Sequence, residues 1–77
     1  MKVFVLTCIN ESCELVMMKV FKTIHLARAE MIEDYNAELE DAGGEDACDF
    51  FKLGFDTACV EKDHEWKYFW QISSDEI

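Results

Sequence analysis

The sequence predicts an α+β domain of ββαββ order, with one four-stranded antiparallel sheet and a single helix packed on one face. Three observations predict it. The segment Phe21–Ala42, FKTIHLARAEMIEDYNAELEDA, is long and periodic enough for a helix. Two β-branched or aromatic runs precede it and two follow. The links within each pair of runs are short, as antiparallel hairpins require. The 77 residues make one domain. A chain of this size buries only about 60% of the surface its unfolded form exposes, so its stability margin is thin.

Lys2–Asn10, KVFVLTCIN, alternates Val3, Val5, Thr7 and Ile9 with Phe4, Leu6 and Cys8. Both faces are largely apolar, which predicts a well-buried central strand. Asn10–Cys13, NESC, is turn-like. Glu14–Lys22, ELVMMKVFK, then returns as its antiparallel partner, with Lys19 and Lys22 marking the exposed side or the exit. Thr23 is a suitable N-cap, although Leu26 stands where a capping box would need Glu or Gln. Ile24, Ala27, Met31, Tyr35, Leu39 and Ala42 recur at spacings that form one apolar helix stripe. Gly43–Gly44 stops the helix.

Glu45–Leu53, EDACDFFKL, admits two readings: a short helical turn using Ala47, Phe50 and Phe51, or a loop tucking Phe50 or Phe51 into the core. Gly54 breaks the chain. Phe55–Glu61, FDTACVE, and Trp66–Ser73, WKYFWQIS, read as the last two strands, joined by a hairpin loop at Lys62–Glu65. The tail Ser74–Ile77 is expected to fray.

Charge excludes several functions. Seventeen acids against seven Lys and Arg give a formal net charge of −10. DNA, RNA and anionic membranes call for a basic face, so direct binding to any of them is not expected. The apolar run Val3–Ile9 is too short for a signal-peptide core, and no segment approaches the ~20 apolar residues of a membrane span. A cytoplasmic location follows as the expectation, with Cys8, Cys13, Cys48 and Cys59 as reduced thiols.

Catalytic chemistry finds little to work with. His64 lies in Asp63-His64-Glu65 at the predicted hairpin tip, where a solvated turn residue is expected, and His25 should face outward from the first helical turn. No nucleophile–base spacing, phosphate-cradling glycine loop or dinucleotide fingerprint is present. No enzyme activity and no cofactor are expected. Cys8 and Cys13 bracket the first turn at a spacing tolerable for half a zinc site, but Cys48 and Cys59 form no second close pair. A small zinc-dependent regulator is therefore a minor reading.

The acidic run is the sharpest feature. From Ala29 to Phe51 there is no Lys or Arg, while Glu30, Glu33, Asp34, Glu38, Glu40, Asp41, Glu45, Asp46 and Asp49 all fall inside it. On a helix Glu30, Asp34, Glu38 and Asp41 share a face, with Glu33 and Glu40 beside it. Like charges at that spacing, and anions near a helix C-terminus, oppose helix stability. A carboxylate row of this kind can imitate a phosphate backbone and occupy a basic groove on another protein. The plain alternative is a solvated acidic face that keeps the protein soluble.

Nine aromatics besides Tyr35 of the helix stripe, from Phe4 to Trp70, are more than one helix can cover. Trp66 and Tyr68 on the last strand are therefore candidate contacts. They would serve either as an apolar anchor beside the acids or as the aromatic sheet face of a homodimer.

The text KVFVLTCINES, MKVF at Met18–Phe21, FKTIHLARAEM and the closing ACVEKDHEWKYFWQI together resemble small uncharacterised ββαββ proteins of phages and mobile elements of gut bacteria. Small size, acidity and lack of catalytic motifs are also similar in character to anti-CRISPR proteins. That second likeness matches no individual residues. It implies a non-enzymatic inhibitor acting in the host-cell cytoplasm on a basic nucleic-acid-handling protein such as a CRISPR effector.

Overall fold

The structure is a computed structural model that describes residues 1–62 and 66–77, with the backbone alone for 66 and 67. The predicted hairpin tip carrying His64 lies outside the described residues. Strand β1 (Lys2–Asn10) and strand β2 (Leu15–Phe21) form the expected antiparallel hairpin. Its turn is held by the Asn10 side-chain oxygen, which accepts from the backbone N–H groups of Ser12 and Glu14 at 2.9 and 3.1 Å. Cys13 takes a positive φ of 60° there.

Helix α1 (Ile24–Asp41) follows. Thr23 caps it as expected, its hydroxyl accepting from the Leu26 N–H at 3.2 Å. At the other end Gly43 turns the backbone to φ +104°. The N–H groups of Gly43 and Gly44 then return to the carbonyls of Glu40 and Leu39 at 3.0 and 2.9 Å. This pair of reversed bonds satisfies carbonyls that a helix end leaves open.

The sheet has five strands, in the order β2-β1-β5-β4-β3, and every pairing is antiparallel. The fifth strand corrects the expectation of four. After a 3-10 turn at Glu45–Ala47, residues Phe50–Leu53 form β3 against β4 (Thr57–Lys62). Neither alternative drawn from the sequence covers this. The helical turn ends before Phe50, and Phe50 and Phe51 remain 52% and 38% exposed rather than tucked into the core. Four residues span too few alternations to announce a strand, and β3 exists only because β4 offers a ladder.

Strand β4 starts at Thr57, because Gly54–Asp56 form the turn, closed by the Gly54 N–H donating to the Thr57 carbonyl at 2.8 Å. Strand β5 (Trp66–Glu76) runs past the predicted end. The tail does not fray, since Lys2, Val3 and Phe4 pair with Glu76, Asp75 and Ser74. The terminal ammonium also donates to the Ile77 carbonyl at 2.7 Å.

The core lies between the sheet and the helix. Leu6, Cys8, Ala58, Val60, Trp70 and Ile72 from the sheet meet Ala27, Met31, Tyr35 and Ala42 from the helix. Ala27, fully buried, lets the helix approach closely, and Tyr35 meets Trp70 edge to face at 6.0 Å. On one flank Arg28 donates to the Phe55 carbonyl at 2.7 Å and lies over the Phe55 ring, fixing the helix to the β3–β4 turn.

Among the described residues, Lys62 and Lys19 bring positive charge to the helix. The Lys62 ammonium, from β4, donates to the Ala42 carbonyl at 2.8 Å and supplies the positive charge that the last helical turn lacks. Lys19, from β2, pairs with Glu30. Lys62 is 20 residues from Ala42, and Lys19, in the strand just before the helix, reaches Glu30 eleven residues on, so the fold and not helix periodicity brings them there. No helix among the described residues is long and apolar enough to cross a membrane.

Candidate functional site

In an antiparallel ladder, directly paired residues point to the same side of the sheet. Leu6 pairs with Ile72 and Lys19, Cys8 with Trp70 and Met17, Trp70 with Ala58, and Val60 with Tyr68. All of these face the helix. The register shift between Cys8 and Ile9 inserts Val16 as an extra residue in β2 and loosens the hairpin there.

The helix flank above this point presents Asp34 and Glu38 instead of large apolar side chains, so helix and sheet do not close. A groove of about 250 Å³ remains, lined by Cys8, Val16, Met17, Tyr68 and Trp70 below and by Asp34 and Glu38 above. The Tyr68 and Trp70 rings lie 5.9 Å apart at one end. The volume is below the range of drug-sized pockets, at roughly 300–1,000 Å³, and suits one side chain or a comparably small group.

The groove is electrostatically primed for a cation. Burial pushes the Asp34 carboxyl above its ordinary range, with Glu30 and Glu33 adding to the shift and Lys19 opposing it. Burial likewise raises Glu38, helped by Asp41 and Asp34. Each is held in a state where an incoming positive charge would be favourable. The same surroundings push the Cys8 thiol up to about 12, through burial first and then Asp34 and Glu38. A thiol this far up stays protonated, so Cys8 is a wall of the groove and not a nucleophile.

The predicted site residues divide accordingly. Asp34, Glu38 and Tyr68 meet in the groove. Glu30 and Asp41 extend the same helix flank at either end, Glu30 held by Lys19 and Asp41 exposed. Glu33 and Glu40 point to solvent, and Glu45, Asp46 and Asp49 form a separate exposed cluster after the helix. Tyr68 is half-buried on the helix side, so it corrects the expectation of an aromatic, outward-facing sheet surface at that position. Trp66 pairs with Lys62 in the ladder, and its side chain lies outside the described residues.

Sequence reasoning missed Cys8, Val16, Met17 and Trp70 as groove residues. Strand alternation places Cys8 and Trp70 on one face, but the bulge that opens the hairpin has no sequence signal. Cys8 is buried and Cys13 exposed in the turn, and no disulfide joins any of the four cysteines. Among the described residues no group of three or more His, Cys, Asp or Glu is placed to hold a metal ion. Comparison with family models, characterised proteins and solved structures finds no match to this chain.

Proposed function

We propose that this chain is a non-enzymatic binding protein that occupies a basic, nucleic-acid-handling surface of another protein, in the manner of an anti-CRISPR or other anti-defence inhibitor. The observation that carries the reading is the groove, in which Asp34 and Glu38 stand over an apolar, aromatic floor. A lysine or arginine of the partner would lay its stem along Val16 and Met17 and place its head between the carboxylates. Glu30, Asp41, Glu33 and Glu40 would extend the negative surface along the helix, and Glu45, Asp46 and Asp49 would continue it beyond. The formal net charge of −10 would speed the encounter and make it salt-sensitive. Such a partner belongs to the cytoplasm of a host cell, and reduced thiols suit that setting.

The test uses purified basic nucleic-acid-binding proteins, CRISPR effectors among them. Binding is measured by calorimetry, and the displacement of bound nucleic acid by gel shift. Binding should compete with nucleic acid, weaken steeply with salt, and fall at least about a hundredfold in Asp34→Lys/Glu38→Lys. It should also strengthen as pH rises through the elevated carboxylate range, because the cation needs both groups ionised. Binding that ignores the double reversal, or an absence of competition with nucleic acid, would refute the reading.

A further inference from the structure

Among the described residues, no element lies over the side of the sheet away from the helix, where Val3 alone of the β1 side chains is buried. The ladder places Val5, Thr7 and Ile9 of β1 on it, opposite Val20, Met18 and Leu15 of β2 and Ser73, Gln71 and Phe69 of β5. Leu15, Met18 and Val20 are 56%, 60% and 58% exposed. With Val5, Ile9 and Phe69 they make one apolar strip across three adjacent strands. Uncharged Thr7, Gln71, Ser73 and Thr57 continue the face, and Lys52, Glu61 and Asp75 stand at its margins. The acids of the helix and of the following turn all lie elsewhere. A chain with a formal net charge of −10 thus keeps the charges of this face, among the described residues, at its margins.

We infer that this face is a self-association surface, on which two copies pack sheet against sheet about a twofold axis with their helices outward. Area supports a second copy as the occupant. The chain spans 41 × 23 × 15 Å, so the outline of its broad side, at most roughly 900 Å², is of the order of the about 800 Å² per partner in a standard interface. Charge supports it too. A face without strong charge suits neither a basic nor an acidic partner, whereas face-to-face packing of two copies sends both acidic helices to opposite outer surfaces. Aligned packing of twisted sheets at about 10 Å is a common arrangement, and a twofold contact asks only that the patch complement itself. The composition fits as well, with an apolar strip and a polar, charged margin.

The inference is independent of the proposed function, because the groove lies on the opposite side of the sheet. The test is light scattering coupled to size exclusion over a tenfold range of concentration, on the intact chain. The wild type should run at twice the 9.0 kDa chain mass. Leu15→Lys/Met18→Lys should halve that mass while circular dichroism and thermal unfolding of the monomer stay intact, since both side chains are exposed. The double variant also reduces net negative charge, so general repulsion cannot account for its dissociation. Glu33→Lys, on the helix exterior, should leave the dimer in place. A wild type that stays monomeric throughout overturns the inference. So does a dimer that survives in Leu15→Lys/Met18→Lys, as direct pairing of two free β2 edges would give.

Discussion

Replacing Lys62 with Met tests how a helix with no basic residue in its last turn is stabilised. The Lys62 ammonium donates to the Ala42 carbonyl at 2.8 Å in a partly buried position. A cation at a helix C-terminus contributes up to ~2 kcal/mol when partly buried, and a hydrogen bond to a charged group about 1.5–3 kcal/mol. The two descriptions overlap, since one ammonium serves both, so the expected loss is about 1–2 kcal/mol and not their sum. Met keeps the length of the stem, which limits the change in packing. For a domain of this size the loss corresponds to roughly 6–12 °C in Tm.

Lys19→Met is the internal control. It removes an exposed ion pair with Glu30, and it changes the net charge by the same single unit as Lys62→Met. Exposed pairs contribute little, because water screens them and long side chains resist ordering. The difference between the two variants therefore isolates the helix-end contact from the general effect of charge. Both are measured by thermal unfolding at two salt concentrations. A loss in Lys19→Met equal to or greater than that in Lys62→Met would refute the reasoning.

Three further outcomes are expected. Leu6→Ala should destabilise by about 2–5 kcal/mol in urea unfolding, since Leu6 is fully buried between sheet and helix and its loss leaves a cavity. Iodoacetamide should label the exposed Cys13 readily in the native protein. Cys8, buried and pushed up to about 12, should react more than about a hundredfold more slowly, as read by peptide mass analysis. The carboxyls of Asp34 and Glu38 are raised in the folded state, so the native protein binds their protons more tightly than the unfolded chain. Their ionised forms oppose folding at neutral pH, and stability should rise as pH falls from 7 through their elevated range toward the ordinary carboxylate value of about 4. Asp34→Asn/Glu38→Gln should flatten that part of the profile and be the more stable protein at pH 7, as chemical denaturation would measure.

Much of the fold can be read from residue order alone. The alternation of β1, the apolar stripe from Ile24 to Ala42, the Thr23 cap and the Gly43–Gly44 stop are all local signals. Each depends on backbone sterics or on a contact within a few residues, and the structure carries each of them as the sequence predicts. The helix acids were equally legible, including the sharing of one flank by Glu30, Asp34, Glu38 and Asp41.

Tertiary structure decided the rest, because the forces involved act between segments far apart in the chain. Strand β3 has too few residues to declare itself and exists through its ladder with β4. The C-terminal tail is a strand because β1 offers it a partner. Lys62 and Lys19 answer the helix only once β4 and β2 lie beside it. Register decides which aromatic serves which face. A one-residue step separates Tyr68, in the groove, from Phe69, on the open side. The helix that reads from sequence as an acidic surface is, in the folded chain, one wall of a groove. What turns Asp34 and Glu38 from solvated charges into raised, half-buried ones is the floor beneath them, made of β1, β2 and β5.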